Sequence, residues 1–152
     1  MTARYQDWLR QARRDLAHAR RARDGGDYEW ACFAAQQSAE KAVKAVFMRV
    51  NQVAWGHSVA ALLQALPEPW QVDDAILDAG KELDKHYIPP RYPNSHPQGA
   101  PYDYYTASEA ERAIEHTTAI IAFCERLLAE CASSGDLPEG GSSHHGDHSS
   151  GD

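Results

Sequence analysis

The chain is 152 residues long, 43% hydrophobic and 24% charged, with three cysteines and a formal net charge of −7. Those values fit one globular domain whose core needs no disulfide or metal, and they exclude a wholly disordered chain. With no run of 18 apolar residues and no apolar core in the first 25, neither a membrane span nor a secretory signal is expected, and the expected location is the cytoplasm.

Cys32, Cys124 and Cys131 are an odd set in apolar, helical surroundings, which reads as reduced thiols rather than a disulfide framework. Charge is unevenly spread. Residues 1–23 carry seven arginines against Asp7 and Asp15, a local +5, which leaves −12 on the remainder. A net-acidic chain is a poor general binder of polyanions, because affinity for nucleic acid comes largely from phosphate neutralisation. The basic segment therefore reads first as a solvated helix face, with a phosphate-binding stripe as the alternative.

Apolar residues Tyr5, Trp8, Leu9, Ala12, Leu16 and Ala19 recur at spacings of three and four, which predicts an amphipathic helix over 3–23. Asp24-Gly25-Gly26-Asp27 stops it, and Asp27 is placed to cap the next. Residues 28–50 carry a broad stripe from Tyr28 through Ala31, Ala35, Ala39, Val43 and Val46 to Val50, widened by Trp30 and Phe33. Its many alanines permit close helix approach, and the short Gly turn makes the first two helices antiparallel neighbours. A helix apolar on more than one side needs several partners, which favours a homodimer.

Ser58 begins a short helix bearing Val59, Leu62, Leu63 and Leu66, ended by Pro67 and Pro69. Val72, Ala75, Ile76, Ala79 and Leu83 predict a fourth helix from 72 to His86. Between 88 and 105 five prolines and Gly99 forbid a regular helix, while Tyr87, Tyr92, Tyr102, Tyr104 and Tyr105 crowd the same stretch. So many aromatics are expected to pack on something. Thr106 and Glu109 form a capping box, and a last helix runs to 132. The remaining Gly, Ser, His and Asp residues predict a disordered tail. The expected architecture is thus an all-α, up-and-down bundle of four long helices plus a short one over 1–132, with a tail over 133–152.

Gln36-Gln37-Ser38-Ala39-Glu40-Lys41-Ala42-Val43-Lys44 resembles the Gln-Gln-x-x-Glu-Lys-x-x-Lys run in the second helix of HEPN (higher eukaryote and prokaryote nucleotide-binding) domains. Arg14-Asp15-Leu16, Gly56-His57-Ser58 with Leu62-Leu63, Tyr87 to Pro93, and Tyr104-Tyr105-Thr106 continue the resemblance in order, over about residues 3–130. It implies a helical bundle that commonly dimerises, serving in toxin–antitoxin or defence systems and often acting with a nucleotidyltransferase partner.

Two functions follow from the resemblance. One is a binding module for a nucleotide or a partner protein, with Lys41, Lys44, His57, Arg91 and Tyr92 as candidate contacts. The other is a metal-independent ribonuclease in which His96 takes the proton of a ribose 2′-hydroxyl and Arg91 holds the phosphate, leaving a 2′,3′-cyclic phosphate. Pro93 and Pro97 place His96 in a loop, whereas active relatives carry this pair on a helix. On helical spacing Gln36, Glu40 and Lys44 share one face with Gln37 and Lys41 beside it. That strip reads either as a phosphate-facing surface or as a polar network with Asp15 or Tyr28. No cofactor and no metal site are expected. His144, His145 and His148 lie in the tail, and Cys124 and Cys131 read as core residues. His18 and the Arg112–His116 pair read as helix surface.

Overall fold

The computed structural model describes residues 4–134, helical in the order α1 (Arg4–Asp24), α2 (Tyr28–Arg49), α3 (Val59–Gln64), α4 (Asp74–Asp84) and α5 (Ala107–Ser134). Residues from 135 onward, most of the expected tail, lie outside the described residues, as do the first three.

Leu9, Ala12, Leu16, Ala19 and Ala22 form the buried stripe of α1. Gly26 takes the left-handed φ of +86° that turns the chain, and the Asp27 N–H returns to the Ala22 carbonyl at 2.8 Å. This backbone bond closes the turn, and α2 runs back antiparallel along α1. Asp27 holds the expected cap position, yet its side chain makes no capping hydrogen bond.

The alanines of α2 do what their size allows. Ala31, Ala35, Ala39 and Ala42 are fully buried, and two hydroxyls bridge to neighbouring helix backbones. Ser38 donates to the Ala12 carbonyl of α1, and Thr117 of α5 donates to the Ala35 carbonyl at 2.7 Å. Outside, Arg13–Glu125 at 2.7 Å and Arg23–Glu111 at 2.9 Å tie α1 to α5. The broad apolar face of α2 is therefore covered within the protomer, by α1, α5 and the α3–α4 pair. The width of that face no longer requires a second copy. Trp30 stays 46% exposed.

Ser58 caps α3, accepting from the Ala61 N–H at 3.0 Å. The remaining amides of that short helix are satisfied from the end of α4. Asp84 accepts from the Ser58 hydroxyl (2.7 Å), the Val59 N–H (2.6 Å) and the Ala60 N–H (3.2 Å). Gly80 lets α4 approach, since a β-carbon there would sit 3.2 Å from the Ala60 nitrogen. Helix α4 begins two residues later than its apolar spacing predicts, because Asp73 caps it by accepting from the Ile76 N–H at 2.9 Å.

Residues 88–105 are irregular as expected, with 3-10 turns at Pro93–Ser95 and Pro101–Asp103. Tyr87 and Tyr105 are half-buried; Tyr92 and Tyr104 are more exposed but lie against Arg91 and His96, and Tyr102 is 71% exposed. The capping box opens α5: the Glu109 N–H donates to the Thr106 hydroxyl and the Thr106 N–H to the Glu109 carboxylate, both at 3.1 Å.

Candidate functional site

Glu40 is 6% exposed, and four side chains converge on it. Lys44 donates to its Oε2 at 2.9 Å, His57 Nδ1 lies 3.0 Å from the same oxygen, and Gln36 and Gln37 donate to Oε1 at 3.3 and 3.4 Å. Gln36 also donates to the His57 carbonyl at 2.9 Å, which fixes the Gly56-His57-Ser58 turn against α2. The network reading of the strip is the one the geometry carries, with Glu40 as its centre. Of the two partners expected from spacing, Asp15 is engaged, but by Lys41 at 2.5 Å on the α1 side. Lys41 is thereby separated from Lys44 and His57.

A carboxylate only accepts, so His57 Nδ1 carries the proton of that bond and Nε2 is the ring's remaining nitrogen. The ring is 56% exposed and stacks on Tyr87, with centroids 4.6 Å apart and planes 17° apart. An imidazole held on two sides and open at Nε2 is suited to accept a proton there and, once protonated, to donate to a phosphate oxygen.

Tyr87 also carries Arg91. The guanidinium lies 4.7 Å from the Tyr87 ring centre, 4.4 Å from Phe33 of α2 and 5.3 Å from Tyr92. Its Nε donates to the Tyr87 carbonyl at 2.8 Å. Among the described residues Arg91 makes no ion pair, so it is not a structural bridge to a bundle carboxylate. Three rings thus hold a positive fork whose terminal nitrogens make no hydrogen bond to described residues, an arrangement suited to a planar or tetrahedral oxyanion.

His96 has different neighbours. Its Nε2 lies 2.9 Å from the Pro89 carbonyl, and the ring stacks on Tyr104 at 4.4 Å, with Tyr105 edge-on at 6.4 Å. Arg91 and His96 share none of these partners. The Arg112–His116 spacing is a coincidence of the helix surface, because His116 pairs with Glu82 at 3.0 Å. His18 is exposed. The three cysteines are free and buried, and burial pushes the Cys32 thiol up to about 12, so it is inert. No group of three potential metal ligands occurs among the described residues, and His144, His145 and His148 lie outside them.

Sequence spacing did not reveal Glu40 as the centre, Tyr87 as a shared platform, or Phe33 as part of the Arg91 clamp. Only the i, i+4, i+8 register of Gln36, Glu40 and Lys44 hinted at the first. Beside this cluster a groove of about 1050 Å³ shares Lys44 and His57 with it and continues along the start of α1, the end of α2 and residues 51–56.

An all-α bundle whose second-helix Gln-Gln-x-x-Glu-Lys-x-x-Lys run meets a Gly-His-Ser turn and a Pro-Pro-Arg loop defines a HEPN-type domain. The chain belongs to the HEPN family, whose domain model matches residues 5–127. It is similar to the crystal structure of TT1696 from Thermus thermophilus, at 50% identity and a TM-score of 0.82 over 84% of this chain and all of that one. ST0689, described as an archaeal HEPN homologue, matches at 40% identity and 0.71, over 82% of this chain and 97% of its own. A HEPN domain protein of Thermotoga maritima matches at 41% and 0.67, over 81% and 98%. No curated protein matches the chain. No helix among the described residues is long and apolar enough to cross a membrane.

Proposed function

We propose that this HEPN domain is a binding module whose site, built from Arg91, His57, Lys44 and Tyr92, takes the phosphate of a nucleotide or an acidic group of a partner protein. The observation that carries the reading is Arg91: an arginine clamped by Phe33, Tyr87 and Tyr92 with no carboxylate partner among the described residues. A fixed, uncompensated guanidinium loses little entropy on meeting an oxyanion. We place the module in a toxin–antitoxin or defence pair, as a homodimer acting with a nucleotidyltransferase, on the strength of the family alone.

Calorimetric titration with AMP and ATP tests the nucleotide reading. Binding that falls about tenfold or more in Arg91→Ala supports it, since a hydrogen bond to a charged group is worth about 1.5–3 kcal/mol. Equal affinity in wild type and variant overturns it. The second reading, a ribonuclease using Arg91 and His96, is supported by the way Pro89 and Tyr104 hold the His96 ring with Nδ1 unspent. Incubation with RNA in EDTA, followed by analysis of the product ends, separates the two. Cleavage to 2′,3′-cyclic phosphates that drops about a hundredfold in His96→Ala would establish the enzyme.

A further inference from the structure

The groove between the start of α1, the end of α2 and residues 51–56 is open, aromatic and basic. Trp55 is 84% exposed and Val53 71% exposed, and Tyr5 and Trp8 of α1 line the same space. Arg4, Lys44 and Arg49 line it too, with no Asp or Glu among the described lining residues of a chain whose net charge is −7. Lys44 is held by Glu40 and Arg4 by Asp7, whereas Arg49 makes no ion pair among the described residues and lies 5.9 Å from the centre of the Tyr5 ring. Apolar surface exposed on this scale and rimmed by charge marks a contact face.

Helix register brings the end of α5 to the same place. Arg23 pairs with Glu111 and Arg13 with Glu125, so α1 and α5 run antiparallel and the start of α1 lies level with the last turns of α5. Since α2 is also antiparallel to α1, it runs parallel to α5, and Thr117 marks their register at the Ala35 carbonyl. The same step along both helices, from Ala35 to Arg49 and from Thr117 to Cys131, leads to a second meeting. Burial pushes the Cys131 thiol up, and the Arg49 charge is what first opposes it. Helix α5 ends at Ser134, so the chain leaves it at the groove, and five further residues reach at most about 17 Å.

The sequence that follows complements the lining. Residues 135–152 carry Asp136, Glu139, Asp147 and Asp152 and no Lys or Arg. Leu137 and Pro138 are their only apolar side chains, and both stand between Asp136 and Glu139. A segment tethered this closely meets its site at an effective concentration of about millimolar, so a weak contact suffices to hold it.

We propose that the groove is the docking site of the chain's own acidic residues 136–139, with Leu137 against the Trp55 and Trp8 rings and the two carboxylates on Arg49 and Arg4. Docking covers the apolar face within one molecule. It also sets negative charge beside Lys44 and His57, which the groove shares with the polar cluster. Neither Arg91 nor any ring that clamps it lines the groove, so the inference stands apart from the reading of Arg91.

Paramagnetic NMR of the full chain tests it. Ser143→Cys takes a nitroxide label, and the three native cysteines, being buried, leave it the one reactive thiol. The indole N–H signals of Trp8 and Trp55 report on the groove, and Trp30, about 28 Å from Arg49 along α2, is the control. Docking should remove most of the Trp8 and Trp55 intensity and spare Trp30. A tether alone also carries the label near the groove, so the deciding comparison is with variants. Asp136→Asn/Glu139→Gln, Leu137→Ala and Arg49→Ala should each return most of the lost intensity. So should salt at about 1 M, where charges are screened beyond about 3 Å. The family match ends at residue 127, so substitutions at 136–139 leave the bundle intact.

Intensity losses that none of these changes relieves would mean a tether without a contact and overturn the proposal. Trp8 and Trp55 signals untouched by the label would overturn it too. Mixing nitroxide-bearing chain with isotope-labelled chain separates the remaining occupant. Losses of full size in that mixture would seat a second copy's segment in the groove and overturn docking within the chain.

Discussion

The Glu40 cluster and the Arg91 loop lie side by side and solve opposite problems. Glu40 is a buried carboxylate whose oxygens are taken up by Lys44, His57, Gln36 and Gln37. Arg91 is a half-buried cation that meets aromatic faces instead of a counter-charge. A saturated carboxylate rigidifies and has nothing left to offer a ligand, so only the outward side of Lys44 and His57 stays available; a charge held by rings keeps its donors. Glu40 thus fixes the turn at His57 while Arg91 keeps a free charge for a ligand, and substitutions of the two should divide along that line.

Glu40→Ala should have the largest effect on stability. It leaves the Lys44 ammonium beside α2 with only 14% of its side chain exposed and removes the anchor of His57. Breaking a buried pair from one side costs about 3–5 kcal/mol, and the partial access of Lys44 to water puts this case near 3. Urea unfolding measures it, and a loss under about 1 kcal/mol would show that the cluster is solvated and interchangeable with the loop. Asp84→Ala comes next, at about 2 kcal/mol, because two backbone amides and a hydroxyl at the start of α3 lose their acceptor together.

Arg91→Ala should move stability by only about 1 kcal/mol, the scale of a partly exposed cation–π contact, while it abolishes most anion binding. Equilibrium unfolding and AMP titration of one preparation give both numbers. A variant that unfolds like Glu40→Ala would mean that Arg91 belongs to the structural side of the comparison.

The fold was legible because its signals are local. Periodicity placed all five helices to within a few residues, and Ser58 and the Thr106–Glu109 pair marked two starts from their immediate neighbours. The family resemblance rested on the same local runs. What was not legible joins distant positions. Asp84 reaches the amides of Val59 and Ala60, Phe33 of α2 meets Arg91, and His57 stacks on Tyr87. None of these has a spacing to read, since each depends on where two helices cross. Asp27 fails in the other direction: its residue type suits a cap, but the backbone bonds around Gly26 already satisfy the turn.

His86 gives the smallest expected effect and a third condition, neither saturated nor held open. Its Nδ1 is buried without a hydrogen-bond partner, near Tyr105 and within the field of Glu82, Glu109, Arg112 and His116. Burial holds its pKa below the ordinary 6.5, with the two glutamates only partly opposing the shift. The unfolded chain therefore takes up a proton at higher pH than the folded one. Between the two values the unfolded state binds more protons, so stability falls as pH drops below 6.5, with a slope of at most about 1.4 kcal/mol per pH unit. Glu82, whose pKa the His116 hydrogen bond lowers from 4.5, loses its own contribution only further down, so the two effects separate. Denaturant midpoints from pH 7.5 to 5 should decline for the wild type and flatten in His86→Leu. Parallel profiles would mean that the ring titrates as freely as an exposed histidine and is hydrated in the folded protein.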